Sequence, residues 1–276
     1  MKSGKLYLVP TPIGNLGDMT LRGLETLKSA TLIAAEDTRS ARRLLKHFQI
    51  PCPALISYHK FSEKRRIPEI MAILEQGKDV AIISDAGSPG ISDPAEIIVK
   101  AAIDEGVEVI ALPGATAFVP ALTASGLPCS SFLFLGFLPQ KPKDRKQIMQ
   151  RIVVSPDTVI LYEAPHRVKK TLMELYKHLG KRQIVIAREL SKIYEEYIRT
   201  DLGSLLEDYQ VMEKGEFVIL IEPCLKETVP DPGQLRYLVK DMLRSGKQAS
   251  AILEELSSEY PRNQVYQIIL SFKKPK

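Results

Sequence analysis

Over the first 112 residues, short apolar runs alternate with stretches whose apolar side chains return every three or four positions. The runs at 6–9, 31–35, 54–58, 80–83 and 107–112 predict five strands. Between them, Leu21, Leu24 and Leu27, then Leu44, Leu45 and Phe48, then Ile67, Ile70, Met71 and Leu74, and finally segment 95–105, mark four amphipathic helices. Strict β-α alternation predicts a parallel sheet with helices on both faces, because each parallel crossover needs a connection long enough to hold a helix.

After residue 112 the pattern changes. A helix at 115–125 leads to a strand at 132–138, a basic loop and helix at 141–153, a strand at 158–162 and a helix at 168–179. Strands at 183–188 and 195–200, a helix at 204–212 and a strand at 217–222 follow. These strands are closer together in sequence, which predicts an antiparallel component and a mixed sheet. Segment 223–233 carries three prolines and reads as a linker.

Beyond the linker, Leu235, Leu238, Val239 and Leu243 share one helical face, Ala249, Ile252, Leu253 and Leu256 a second, and Val265, Ile268, Ile269 and Phe272 a third. Three short helices suit a helix-turn-helix-like module, ending basic at Lys273, Lys274 and Lys276, or a packing or dimerisation appendage. The expected organisation is an α/β domain at 1–114, a second at 115–223 and a helical module at 234–276.

Composition narrows the class. The 276 residues are 45% hydrophobic and 26% charged, as in ordinary globular proteins, with a net charge of +5. That mild excess, with a sequence pI near 8.9, permits a polyanionic partner without demanding one. Cys52, Cys129 and Cys224 lack metal-ligand spacing, and their odd number argues against a disulfide framework. A reducing cytoplasmic setting without a resident metal is expected. The first residues carry no secretion-signal core, and the uncharged stretch 109–140 is broken by Pro113, Gly114, Pro120, Gly126, Pro128 and Gly136, so a buried centre is expected there rather than a membrane span.

Candidate chemistry lies in the loops. Segment 83–94, Ile-Ser-Asp-Ala-Gly-Ser-Pro-Gly-Ile-Ser-Asp-Pro, joins a strand to a helix, where open α/β sheets bind their ligands. Asp85, Ser88, Ser92 and Asp93 add polar side chains to a backbone shaped by Gly and Pro; alternatively, Ser92 or Asp93 caps the next helix. Segments 11–18 and 113–117 are similar loops after the first and fifth strands. Gly14-x-x-Gly17 is neither a dinucleotide fingerprint nor a P-loop, although Glu36-Asp37 stands where a ribose contact remains open. The three loops together describe a crevice for a compact polar ligand.

Several motifs occur in order: Pro-Thr-Pro-Ile-Gly-Asn-Leu-Gly-Asp at 10–18, Glu-Asp-Thr-Arg at 36–39, the 84–94 loop, Pro-Gly-Ala-Thr-Ala at 113–117, Tyr-Glu-Ala-Pro-His-Arg at 162–167 and Gly-Glu-Phe at 215–217. This series resembles the tetrapyrrole methylase superfamily and, within it, the bacterial enzymes that methylate ribosomal RNA of the small subunit. The resemblance implies two α/β domains holding S-adenosylmethionine, usually in a homodimer, and methyl transfer to the ribose 2'-hydroxyl of a cytidine in the decoding region of 16S rRNA. It implies cofactor contacts from Leu16, Asp85, Gly87, Ser88, Thr116 and Ala117, joined by Tyr162, Ala187 and Arg188.

Such a reaction needs a base for the hydroxyl proton and no metal. Asp37, Glu163 and His166 lead the candidates, which also include Glu36 and Glu189; each has an ion-pair or capping role as its alternative. Substrate contacts are expected from Arg39, His59, Arg167, Lys192 and Arg199, and phosphate contacts also from the basic run that includes Lys141, Arg145, Lys146 and Lys170. His47 and His178 fall within helical patterns and read as structural or solvated. Two departures from the family pattern stand out: His-Lys-Phe-Ser-Glu at 59–63 replaces the common His-x-His-Asn-Glu, and Thr200 replaces Gly. A tetrapyrrole acceptor, or RNA binding without catalysis, are the competing readings.

Overall fold

The computed structural model describes residues 3–51, 53–207, 213–224, 232–257, 260 and 262–273, in two compact units, 1–223 and 224–276. In the first unit, β1 (Leu6–Leu8), β2 (Leu32–Ala35), β3 (Ala54–Ser57), β4 (Val80–Ile83) and β5 (Val109–Ala111) form an all-parallel sheet of order β3-β2-β4-β1-β5. Between these strands run α1 (Leu21–Ser29), α2 (Thr38–His47), α3 (Glu63–Glu75) and α4 (Glu96–Asp104).

Strands β2 and β4 are buried at every position, because alternate side chains enter different cores. Leu32, Ala34, Val80 and Ile82 meet Ile70 and Leu74 of α3 and Ile98 of α4; Ile33, Ala35, Ala81 and Ile83 meet Leu27 of α1 and Leu45 of α2. Burying a Leu or Ile side chain contributes about 1.5–3 kcal/mol, so this two-sided burial makes the central strands the rigid base for the loops at their carboxyl ends.

The second sheet, order β6-β7-β10-β8-β9, comprises β6 (Phe132–Phe137), β7 (Thr158–Glu163), β8 (Gln183–Arg188), β9 (Glu196–Asp201) and β10 (Phe217–Ile221). The β6–β7 pair is parallel and the others antiparallel. One face packs on α6 (Pro142–Val154), α7 (Pro165–Leu179) and α8 (Leu202–Glu207) through Met149, Ile152, Leu172, Leu175 and Leu205. On the opposite face, α5 (Phe118–Thr123) is the only helix among the described residues, with Ala121 and Leu122 against Ile160, Val185 and Leu220, and Leu190 and Ile13 join it from loops.

Local forces explain the departures from the sequence reading. The predicted helix at 115–125 contracts to α5, because Ala115, Thr116 and Ala117 are drawn into the loop cluster. Leu21, assigned to an apolar face, is 80% exposed, while Leu27 alone of its trio is fully buried. The α4 helix starts at Glu96 with no side-chain cap, so neither Ser92 nor Asp93 caps it. Pro165 begins α7 three residues earlier than predicted; its missing N–H costs nothing in a first helical turn. The end of the predicted 204–212 helix falls outside the described residues.

The second unit contains α9 (Pro232–Arg244), α10 (Ala249–Leu256) and α11 (Arg262–Lys273). Leu235, Val239, Ile252, Leu256, Val265 and Ile269 form its core, and the Arg236 guanidinium lies 5.4 Å from the Phe272 ring centroid. The 225–231 part of the linker and the basic end at 274–276 lie outside the described residues. Among the described residues, no helix is long and apolar enough to cross a membrane.

Candidate functional site

The loops after β1, β4 and β5 are tied together by hydrogen bonds. Thr11 and Gly87 exchange two backbone bonds of 2.9 Å, and the Thr11 hydroxyl donates to the Ser84 carbonyl at 3.0 Å. Ser84 donates to the Gly87 carbonyl at 2.9 Å, and Ser88 donates to the Ala115 carbonyl at 3.0 Å. Gly114 is required sterically: a Cβ there would lie 2.7 Å from Cβ of Pro10.

These loops border a cavity of about 420 Å³, completed by residues of the second sheet. Ile13, Phe137, Leu190 and Val218 give it apolar walls, whereas Glu36, Asp85 and Asp93 make one region acidic. Ser92 lies in left-handed backbone at φ 67°, with its hydroxyl close to Gly136 of β6; a Cβ on Gly136 would sit 2.9 Å from it. The approach of this loop to β6 helps define the cavity's rim.

Partial burial raises the proton affinity of all three carboxyls. Burial pushes Asp93 up to about 7, reinforced by Glu36 and Asp85 and partly offset by the Ser84 hydroxyl. Glu36 is raised by burial and then by Asp85. Asp85 is raised by burial, against a hydrogen bond from the Asp37 backbone N–H at 3.1 Å. Burial also lifts Tyr162 to about 12, while its hydroxyl accepts from the Phe118 N–H at 3.2 Å. Beside it, Thr116 lines the cavity with a buried hydroxyl that has no hydrogen-bond partner. An orphaned buried donor costs about 1–3 kcal/mol, so this position suits an added polar ligand.

The model for Tetrapyrrole (Corrin/Porphyrin) Methylases matches residues 5–206. The chain belongs to the tetrapyrrole methylase family. Within this family, it is 44% identical to "Ribosomal RNA small subunit methyltransferase I" of Synechocystis sp., over 97% of this chain and 98% of that protein. The Bacillus subtilis protein of the same name is 44% identical over 84% and 79% of the two chains. Solved family structures share the fold. A cobalt precorrin-4 methyltransferase gives a TM-score of 0.59 at 17% identity, covering 79% of this chain and 94% of its own. Uroporphyrin-III C-methyl transferase from Thermus thermophilus, complexed with S-adenyl homocysteine, gives 0.54 at 19% identity, covering 79% and 97%.

Placed against the family motifs, Asp85, Gly87, Ser88, Thr116, Ala117 and Tyr162 all line the main cavity. Leu16 lies in the wall of a neighbouring cavity. Ala187 and Arg188 line neither: Ala187 belongs to the sheet core, and the Arg188 guanidinium pairs with Glu196 at 2.9 Å.

The leading base candidates differ in availability. Asp37 caps α2 and is clamped by Arg39 at 2.7 Å, which holds its carboxyl down to about 2. Glu163 lines the cavity but its oxygens accept from Thr171 at 2.6 Å and the Ala164 N–H at 2.9 Å, with Arg167 at 3.2 Å. His166 is exposed on the first turn of α7 and lines neither cavity.

The expected substrate contacts separate in space. Lys192 pairs with Glu189 at 2.8 Å and Glu216 at 3.1 Å. Arg199 donates to the carbonyls of Ala124 and Ser125 at the end of α5, and His59 Nδ1 accepts from the Phe61 N–H at 3.2 Å. In the altered 59–63 segment, Glu63 accepts from the buried Tyr58 hydroxyl at 2.9 Å and anchors the turn. Arg145, Lys146, Arg167, Lys170 and Lys177 converge on a groove of about 720 Å³ along α6 and α7.

The sequence pattern placed Asp93 among the polar side chains of the ligand loop, with a helix cap as the alternative, but not among the base candidates. Its burial and its carboxylate neighbours come from separate parts of the chain: Glu36 follows β2, whereas Asp85 and Asp93 follow β4.

Proposed function

We propose that this protein transfers a methyl group from S-adenosylmethionine to the ribose 2'-hydroxyl of a cytidine in the decoding region of 16S rRNA, acting in the cytoplasm as a homodimer. The carrying observation is the cavity that combines apolar walls, three carboxyls and the unpaired Thr116 hydroxyl. Apolar walls suit an adenosyl group, carboxylates suit a sulfonium and an ammonium, and Thr116 offers a hydrogen bond. The names of the close relatives support the ribosomal RNA acceptor. The exposed Phe132 and Val119, on β6 and α5, support a self-association surface.

When bound, S-adenosylmethionine supplies an already electrophilic methyl group. Residues of this chain must hold the ribose hydroxyl in line and receive its proton as the new oxygen–carbon bond replaces the sulfur–carbon bond. Asp93 suits proton acceptance because it lines the cavity and has a proton affinity near neutrality. Asp37 binds a proton too weakly, and Glu163 is committed to its hydrogen bonds. Lys146, Lys170 and Lys177 supply a track for RNA phosphates.

Small ribosomal subunits and deproteinised 16S rRNA, incubated separately with the protein and methyl-labelled S-adenosylmethionine, test this function. Ribose methylation at one cytidine in either substrate is expected. Failure to label both would remove the proposal, whereas base methylation would redirect its acceptor assignment. Sedimentation of the protein tests the homodimer independently.

A further inference from the structure

A second cavity, about 380 Å³, lies on the α2 side of the β1 and β4 loops. Asp85 lines both it and the main cavity, so ligands in the two spaces would meet across one residue. Its second wall is a row on α2 at helical spacing: Ser40, Arg43, Leu44 and His47. The opposite wall includes Pro12 and Leu16.

The row combines different recognition chemistry. Leu16, Leu44 and Pro12 present apolar surface, suited to the flat face of a nucleobase. Ser40 and His47 can exchange hydrogen bonds with its polar edge. Arg43 donates to the Ser40 hydroxyl at 3.1 Å and has no salt bridge among the described residues. Arg42 and Arg43 border the adjoining hollow together with the Arg39–Asp37 pair, leaving a net positive charge beside the pocket. An apolar slot with polar edges and guanidinium groups at its mouth matches one nucleotide continuing into a phosphate backbone.

We infer that this second cavity is the acceptor pocket, taking an unstacked nucleotide of single-stranded RNA with its phosphate at Arg43. The assignment rests on the proposed RNA methyltransferase function. It gives α2 a direct role in substrate binding and makes Asp85 the wall shared by cofactor and acceptor. It also changes His47 from the structural or solvated residue suggested by helical periodicity to a substrate contact.

The test compares wild type, Arg43→Ala and His47→Gln in three measurements: affinity for a fluorescent cytidine-containing oligoribonucleotide, calorimetric affinity for S-adenosylmethionine, and methylation kinetics on small ribosomal subunits. Both side chains are exposed, so both variants should keep the wild-type melting temperature. The expected result is oligonucleotide binding weaker by about tenfold for Arg43→Ala and about threefold or more for His47→Gln, with subunit KM raised in parallel. Cofactor affinity should remain within about twofold.

Unchanged oligonucleotide affinity and KM in both variants would overturn the acceptor-pocket assignment. Loss of cofactor affinity with unchanged RNA affinity would also overturn it, placing the cavity with the cofactor site. If wild type fails to methylate RNA, the proposed function fails, while the oligonucleotide measurement still tests whether this cavity binds single-stranded RNA.

Discussion

Asp85 accepts a 3.1 Å hydrogen bond from the backbone N–H of Asp37, joining the β4 loop to the N-cap of α2. This bond holds the partition between the two cavities. The neighbouring Asp37–Arg39 clamp then fixes the first turn of α2, whose later residues form the second cavity's wall. One carboxylate thus links the arrangement of the two proposed ligand sites.

Asp85→Ala should weaken S-adenosylmethionine binding by about 10- to 100-fold, the range expected for losing hydrogen bonds to a charged group. The residue is exposed overall, with its carboxyl only partly desolvated, so the variant should stay folded and the melting temperature should change little. Calorimetry on the folded variant reads the effect. Undiminished affinity would remove Asp85 from cofactor binding.

Asp93 should make stability depend on pH through the range between its usual value of 3.8 and its folded value of about 7. The native carboxyl holds its proton more tightly, so its favourable contribution is complete below the lower value and is lost as pH rises through the upper. Asp93→Asn should remove that loss. After discounting for partial solvent screening, the gain at about pH 8 is about 1–2 kcal/mol. Urea denaturation at about pH 4 and pH 8 measures it. Identical pH dependence in wild type and variant would refute the prediction, while reduced methylation by Asp93→Asn would support the proton-accepting role.

The parallel first sheet was legible because its strands are short apolar runs separated by helical periods. The order β3-β2-β4-β1-β5 was not, since it depends on contacts between distant segments rather than on the pattern of any one. The loop at 83–94 was recognisable as a ligand site from its Gly, Pro and polar residues, but not the electrostatics around Asp93. Those required the β2 and β4 loops to converge. Similarly, Arg199 looked like a phosphate contact from its charge, whereas folding directs its guanidinium to the carbonyls of Ala124 and Ser125.

Glu163 should matter to stability as well as to the cavity. Its side chain is 0% exposed, and Thr171, hydrogen-bonded to it, also accepts from Arg145 at 3.0 Å. Removing this carboxylate with Glu163→Ala leaves Arg167 and Thr171 without their buried partner, at a cost of about 3–5 kcal/mol. Glu163→Gln retains the volume and one acceptor oxygen, so its loss should be smaller, about 1–2 kcal/mol. Equilibrium denaturation distinguishes these values. Equal stability in both variants and wild type would show that the network contributes little net energy.

The groove along α6 and α7 gives the salt dependence of RNA binding a structural source. Lys146, Lys170 and Lys177 line it and form no salt bridge among the described residues, whereas Arg145 pairs with Glu174 at 2.7 Å. If these three lysines contact phosphates, changing all three to Gln should lower the magnitude of the slope of log affinity against log salt by about 2, at roughly 0.7 per contact on single-stranded RNA. S-adenosylmethionine affinity should be unchanged because the main cavity contains none of these residues. Filter binding of 16S rRNA over a salt series measures the slope. A weaker affinity with the wild-type slope would point to altered RNA geometry rather than lost phosphate contacts, and an unchanged affinity and slope would place the RNA backbone elsewhere.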